Sequence, residues 1–228
     1  MLDLGPGTRV ELGPPIYGGE VHAAYANPRD DVTALVPPGA TEVLDVGCSV
    51  GVMGEALGAR GHHVTGIESD PELASRARSR LDRVIEADVE ALARDGGEVG
   101  GPYDCVIFAD VLEHLRDPWA ATRWGAGLLG PKGCLVISVP NVRHIQLFRS
   151  VFLRRAWDYA DVGIFDRTHL RWFAYKNLPG LLEGTGLRIG ELHRTFMIDL
   201  NPNARINRLA PHLGDFGTLQ FVFRAERP

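Results

Sequence analysis

Short apolar runs alternate along this chain with segments of helical character, and glycine or proline separates most of them. Glu42–Val46, His62–Glu68, Arg83–Glu86, Tyr103–Phe108 and Cys134–Val139 read as strands. Helices are predicted between them. The first covers 52–59 and is closed by Gly61 as a C-terminal cap. The second runs from Ser69-Asp70-Pro71 to about Arg80, with Ser or Asp as cap and proline early in the first turn. Two more cover 89–94 and 119–129. Strands alternating with helices in this way predict right-handed β-α-β crossovers and a parallel sheet, an α/β fold. The first 20 residues are rich in Gly and Pro and read as an irregular arm. Residues 21–36 predict a short cover helix, stopped by Pro37-Pro38. Residues 142–155, apolar at Val142, Ile145, Leu147, Phe148, Val151, Phe152 and Leu153, predict another helix.

The first strand ends in Asp45 and breaks into a small-residue loop, Gly47-Cys48-Ser49-Val50-Gly51, that feeds a helix. Such a junction leaves backbone N–H groups pointing into a crevice at the strand's carboxyl end, and small residues let the backbone approach a nucleotide-like ligand. Three readings compete. A dinucleotide fingerprint, counted from Gly47, needs glycines where Ser49 and Val52 stand. A nucleophile elbow matches literally as G-x-S-x-G, but no earlier strand supplies an oxyanion loop. The third reading rests on the rest of the chain.

Bulk properties narrow the choice. A chain of 228 residues, 45% apolar, supports one sizeable domain. Net charge is −5 with both signs interspersed, which gives no basic stripe for nucleic acid and no patch for an anionic membrane. No apolar run reaches the roughly 20 residues of a membrane span, and the N-terminus does not read as a secretory signal. Cys48, Cys105 and Cys134 form no C-x-x-C pair and read as small buried residues of a reducing compartment. A cytoplasmic protein is expected. No group of His, Cys, Asp or Glu has recognisable metal-ligand spacing, so no metal is expected.

The third reading is a family resemblance. Val43 to Gly51 resembles the V-L-D-x-G-C-G-x-G loop of class I S-adenosylmethionine (SAM)-dependent methyltransferases of the small-molecule type, with Ser49 in place of the middle glycine. Asp110-Val111-Leu112-Glu113-His114-Leu115, followed by Asp117-Pro118, resembles their D-V-L-E-H-L-x-D-P segment after strand 4. A third likeness is Pro140-Asn141 after strand 5, and a fourth is Asp166-Arg167-Thr168-His169-Leu170-Arg171 near the substrate pocket of a subset. The resemblance covers roughly residues 38–190. It implies a Rossmann-like, doubly wound sheet of seven mainly parallel strands. The two remaining strands fall at 187–194 and 218–225, the last antiparallel. The domain then spans 37–228, with 141–175 as a substrate-side insert.

The resemblance also implies a site. SAM, which leaves as S-adenosylhomocysteine, would meet Asp45, Gly47, Cys48, Ser49 and Gly51 at the loop, Glu68 and Ser69 after strand 2, Asp88 and Val89 after strand 3, and Ala109, Asp110 and His114 after strand 4. Tyr25 and Arg29 share a helix face, and the arginine suits the ligand's carboxylate. Asp88 also reads as a helix cap. A small-molecule acceptor would face Asn141, Phe165, Arg167, His169 and Trp172; core packing and an Asp166–Arg167 pair are the structural alternatives. An acceptor hydroxyl needs a base, and His169 or His114 suits that role at neutral pH. O-methylation of a sugar or secondary metabolite is expected. N- or C-methylation, a Ser49 hydrolase and a non-catalytic SAM-binding protein are the alternatives. The stretch 200–217 is a candidate edge or homodimer contact.

Overall fold

A computed structural model describes residues 28–196 and 205–228. Seven strands form one sheet: β1 (Glu42–Val46), β2 (His63–Glu68), β3 (Arg83–Glu86), β4 (Tyr103–Ala109), β5 (Leu129–Pro140), β6 (Arg188–Phe196) and β7 (Thr218–Glu226). Their order is β3-β2-β1-β4-β5-β7-β6. Pairing is parallel from β3 through β5, and β7 runs antiparallel to both β5 and β6. The seven strands and the antiparallel last one match the expectation. β5 begins ahead of its apolar run and takes in residues 130–133, because Leu129 pairs with Tyr103.

The strands read as continuous apolar runs because both faces of the sheet are covered. Side chains alternate across it. Leu44, Val46, Val106, Phe108, Leu135, Ile137, Phe221 and Phe223 build the core on one side. Val43, Cys105, Ile107, Cys134, Val136 and Val222 build the other. Helices α2 (Val52–Gly58), α3 (Pro71–Ala77), α4 (Val89–Asp95) and α5 (Pro118–Gly127) fill the crossovers. Their starts follow sequence chemistry. Asp70 caps α3 by accepting from Glu72 N and Leu73 N, with Pro71 next in the chain. Asp88 caps α4 and Asp117 caps α5.

Register decides where the chemistry gathers. Val46 lies beside Ile67 on one side and Phe108 on the other. The residues at the carboxyl tips of three strands, Gly47, Glu68 and Ala109-Asp110, therefore meet at one end of the sheet, beside the point where the strand order reverses.

Two helical expectations are corrected. Of the expected cover helix, residues 21–27 lie outside the described residues, and within 28–36 only α1 (Asp30–Thr33) is helical. The helix predicted over 142–155 is shorter: α6 (Ile145–Phe148) passes into a wide π turn, Arg149–Arg154, ended by Arg155 at φ 54°. The apolar residues of that turn do not face a core; Phe152 is 69% and Leu153 67% exposed.

Candidate active site

The loop after β1 is built on left-handed residues. Gly47, Ser49 and Gly51 have φ of 73°, 52° and 83°. A Cβ on Gly47 would lie 2.5 Å from Val111 Cγ2, so glycine is required there on two grounds. Gly47 N and Cys48 N both donate to Ile67 O at 2.8 and 3.0 Å, and Ser49 N donates to Glu68 Oε2 at 2.9 Å. The loop is thus bolted to β2. Ser49 takes the glycine-like conformation that the family pattern needs. Its Oγ is buried and has no partner among the described residues. A nucleophile needs exposure and a base, so the elbow reading falls. Cys48 supplies backbone; its thiol is buried against Gly66, whose added Cβ would meet Sγ at 2.5 Å.

Asp45 lies beneath this loop. It is 1% exposed, and neither carboxylate oxygen has a hydrogen-bond partner among the described residues. Burial, with the Glu68 charge second, pushes its pKa up to about 7. Glu68 is also buried, and its second oxygen accepts from Asp70 N at 2.9 Å and from Ser69 Oγ at 3.5 Å. Asp88 is exposed at the tip of β3, where Oδ1 accepts from Glu90 N at 2.8 Å, which is the capping role. Val89 is buried in the core behind it.

Beyond β4 the chain turns sharply at Asp110, φ 56°. Its Oδ1 accepts from Ser138 Oγ at 2.9 Å and Gln220 Nε2 at 2.8 Å, and its Oδ2 bonds Arg29 Nη1. Arg29 also donates to Asp31 and to Ser138 Oγ. Arg29 therefore reaches the strand tips, beside half-buried Ala109, through a network that sequence spacing does not reveal. Tyr25 lies outside the described residues.

A second cluster forms where the 3-10 turn Leu112–His114 meets the insert. Leu170 N and Arg171 N donate to Glu113 O at 2.7 and 3.0 Å, clamping the two segments together. His169 Nε2 then stands 4.0 Å from Glu113 Oε1, and the His114 and His169 rings meet edge to face at 4.8 Å. Thr168 Oγ1 lies 2.6 Å from Asp166 Oδ1 and 2.8 Å from His114 Nδ1. The hydroxyl's single proton goes to the carboxylate, so His114 Nδ1–H donates to Thr168 and Nε2 carries the lone pair. Burial lowers His114, and lowers His169 to about 4 with the His114 charge as second cause, so both imidazoles are neutral at pH 7. Burial pushes Glu113 well up, and Asp110 adds to this. Glu113, 2% exposed with Oε2 unpartnered among the described residues, was not among the site residues expected from sequence, nor were Asp166 and Thr168 as orienting groups. Only their adjacency to His114 and His169 pointed to them.

The remaining acceptor-side candidates fare differently. Asn141 is fully buried: Nδ2 donates to Asp215 O and Thr218 O, each at 2.7 Å, and Oδ1 accepts from Arg143 N. It ties β5 to β7 and the segment before it. Arg167 pairs with Asp161 at 2.7 Å rather than with Asp166. Phe165 packs edge-on to Trp157 at 5.3 Å. Trp172 is 52% exposed, whereas its chain neighbour Phe173 is buried.

A family model described as a methyltransferase domain matches residues 20–192. A ubiquinone biosynthesis O-methyltransferase of Xylella fastidiosa is 37% identical over 124 residues, covering 53% of this chain and 50% of that protein. One from Xanthomonas axonopodis is 36% identical over 124 residues, covering 53% and 52%. The chain spans about half the length of the curated relatives it matches. Among solved structures, a SAM-dependent methyltransferase from Archaeoglobus fulgidus is similar at TM-score 0.61 and 18% identity, covering 90% of this chain and 93% of that one. Magnesium protoporphyrin IX methyltransferase from Synechocystis with bound SAH is similar at TM-score 0.62 and 16% identity, covering 92% and 90%. At these identities the likeness is one of fold.

Proposed function

Because the chain belongs to the methyltransferase-domain family, we propose that it binds SAM at the β1–α2 junction and transfers the methyl group to a hydroxyl of a small molecule. The observation that carries this is Asp45: a buried carboxylate with both oxygens unpartnered among the described residues, under a loop that has no room for a Cβ at Gly47 beside Val111. Those residues fit a cationic nucleoside, because the acid meets positive charge and the small loop admits a ribose and its chain.

SAM supplies a methyl group already activated by its sulfonium. The protein aligns the two reactants and excludes water. Glu68 holds the ribose, Asp88 the base, and Arg29 the carboxylate. The Glu113–His114–His169 cluster faces the acceptor, and a neutral imidazole lone pair receives the hydroxyl hydrogen. His114 is better oriented for this than His169, because Thr168 and Asp166 fix its tautomer. The names of the curated relatives support an oxygen acceptor, while nothing favours a sugar over another hydroxylated metabolite. Among the described residues no helix is long and apolar enough to cross a membrane. The three free cysteines fit a reducing, cytoplasmic compartment.

The test is calorimetry with SAM and with SAH, followed by an acceptor screen read by SAH release. Binding of both is expected, and absence of heat with either overturns the reading. Near-normal turnover in both His114→Ala and His169→Ala would remove the imidazole role.

A further inference from the structure

We propose that Glu113, His114 and His169 form a site for one divalent metal ion of the zinc class. The proposal rests on the reading of this cluster as the acceptor side of the active site, and deepens it: an ion, rather than a free imidazole, holds the hydroxyl.

One donor atom from each of the three residues lies within 4.8 Å of the other two. A point that serves three such atoms is at most 4.8/√3, about 2.8 Å, from each. Zinc–nitrogen and zinc–oxygen bonds run about 2.0–2.2 Å. Closing the site therefore moves each donor by less than about 1 Å, within reach of side-chain torsions alone. Two imidazoles with one carboxylate suit Zn2+, Co2+, Mn2+ or Fe2+ and leave coordination positions open.

Three independent features point the same way. Glu113 Oε2 is buried with no partner among the described residues, a state that a cation relieves. His114 already has the supporting shell of a metal ligand: Nδ1–H is engaged by Thr168 backed by Asp166, which leaves the Nε2 lone pair for an ion. The frame is rigid across two segments of the chain, because the clamp on Glu113 O comes from Leu170 and Arg171, immediately after His169. The ligands are 56 residues apart at the extremes, which is why linear spacing conceals them.

An acceptor hydroxyl in an open position loses its proton to water and keeps its electron pair. That pair forms the bond to the methyl carbon, and the carbon–sulfur pair leaves with sulfur.

The experiment uses the tag-free full chain, stripped with a chelator and titrated with Co2+ and then Zn2+. One equivalent of Co2+ is expected to bind with visible d–d absorption, and Zn2+ to displace it. His169→Ala and Glu113→Gln should each weaken binding at least tenfold. Thr168→Val should weaken it about 10- to 100-fold. His63→Ala, on an exposed strand end, should bind like wild type, and thermal melts confirm that each variant folds. Failure of the wild type to bind one equivalent overturns the proposal, as does unaltered binding in His169→Ala. Full turnover by the stripped enzyme also overturns it and leaves the imidazole as base. SAM titration of the same stripped protein separates the two readings. Heat from SAM without any Co2+ signal defeats the metal site alone, and no heat from SAM defeats the cofactor reading.

Discussion

Replacing Asp45 by Asn removes a charge without changing shape, and the site gives this change two opposed consequences. The Asp45 carboxyl titrates at about 7 in the folded chain against 3.8 for the ordinary group, with burial first and Glu68 second as causes. The folded value is the higher one, so folding takes up a proton between these limits. The group's cost is absent below about pH 4, grows as pH rises, and is complete above about pH 7. From those values the cost is about 2–3 kcal/mol larger at pH 8 than at pH 5. Asp45→Asn should therefore raise the melting temperature more at pH 8 than at pH 5, by roughly 5–10 °C for a chain of this size. SAM binding should move the other way. The cation favours ionised Asp45, so wild-type affinity rises as much as about tenfold per pH unit up to about pH 7 and levels off above. In Asp45→Asn it should be weaker and flat. Melts at the two pH values, with calorimetry across the range, read both effects. Equal stabilisation at both pH values, or an unchanged affinity slope in the variant, refutes the reasoning.

Gly47→Ala should lower both stability and SAM affinity. The left-handed backbone alone costs about 1–2 kcal/mol, the contact with Val111 adds to it, and Val111→Ala in the same chain should restore part of both in melts and titrations. Asn141→Ala strands two backbone carbonyls and one N–H, so denaturant unfolding should show a loss of about 2–4 kcal/mol while SAM affinity stays within a few-fold. Ser49→Gly should keep SAM binding and leave stability unchanged or up to about 1 kcal/mol higher, because it relieves positive φ. Loss of SAM binding in that variant would show that the buried hydroxyl is used.

The central sheet was legible because strands covered on both faces read as apolar runs, and glycine, proline or an acid interrupts each run. The acids at the tips were legible for the same reason: Asp45, Glu68 and Asp88 mark strand ends. Their partners were not. Glu68 serves both the loop and α3 only because β1 and β2 lie in register. The π turn Arg149–Arg154 escaped notice because its apolar residues mimic a buried helical face yet stand exposed. Asn141 looked like a site residue because it follows a strand tip, whereas its amide is consumed by β7 and the segment before it. The Glu113–His114–His169 cluster needed the fold, since a backbone clamp joins two segments that no periodicity connects.

The most direct test is a crystal structure of the chain soaked with SAH. The account predicts the nucleoside across the carboxyl ends of β1 and β2, its ribose hydroxyls on Glu68 and its adenine by Asp88 and Val89. An empty junction in saturated crystals, or the nucleoside bound elsewhere on the protein, contradicts it.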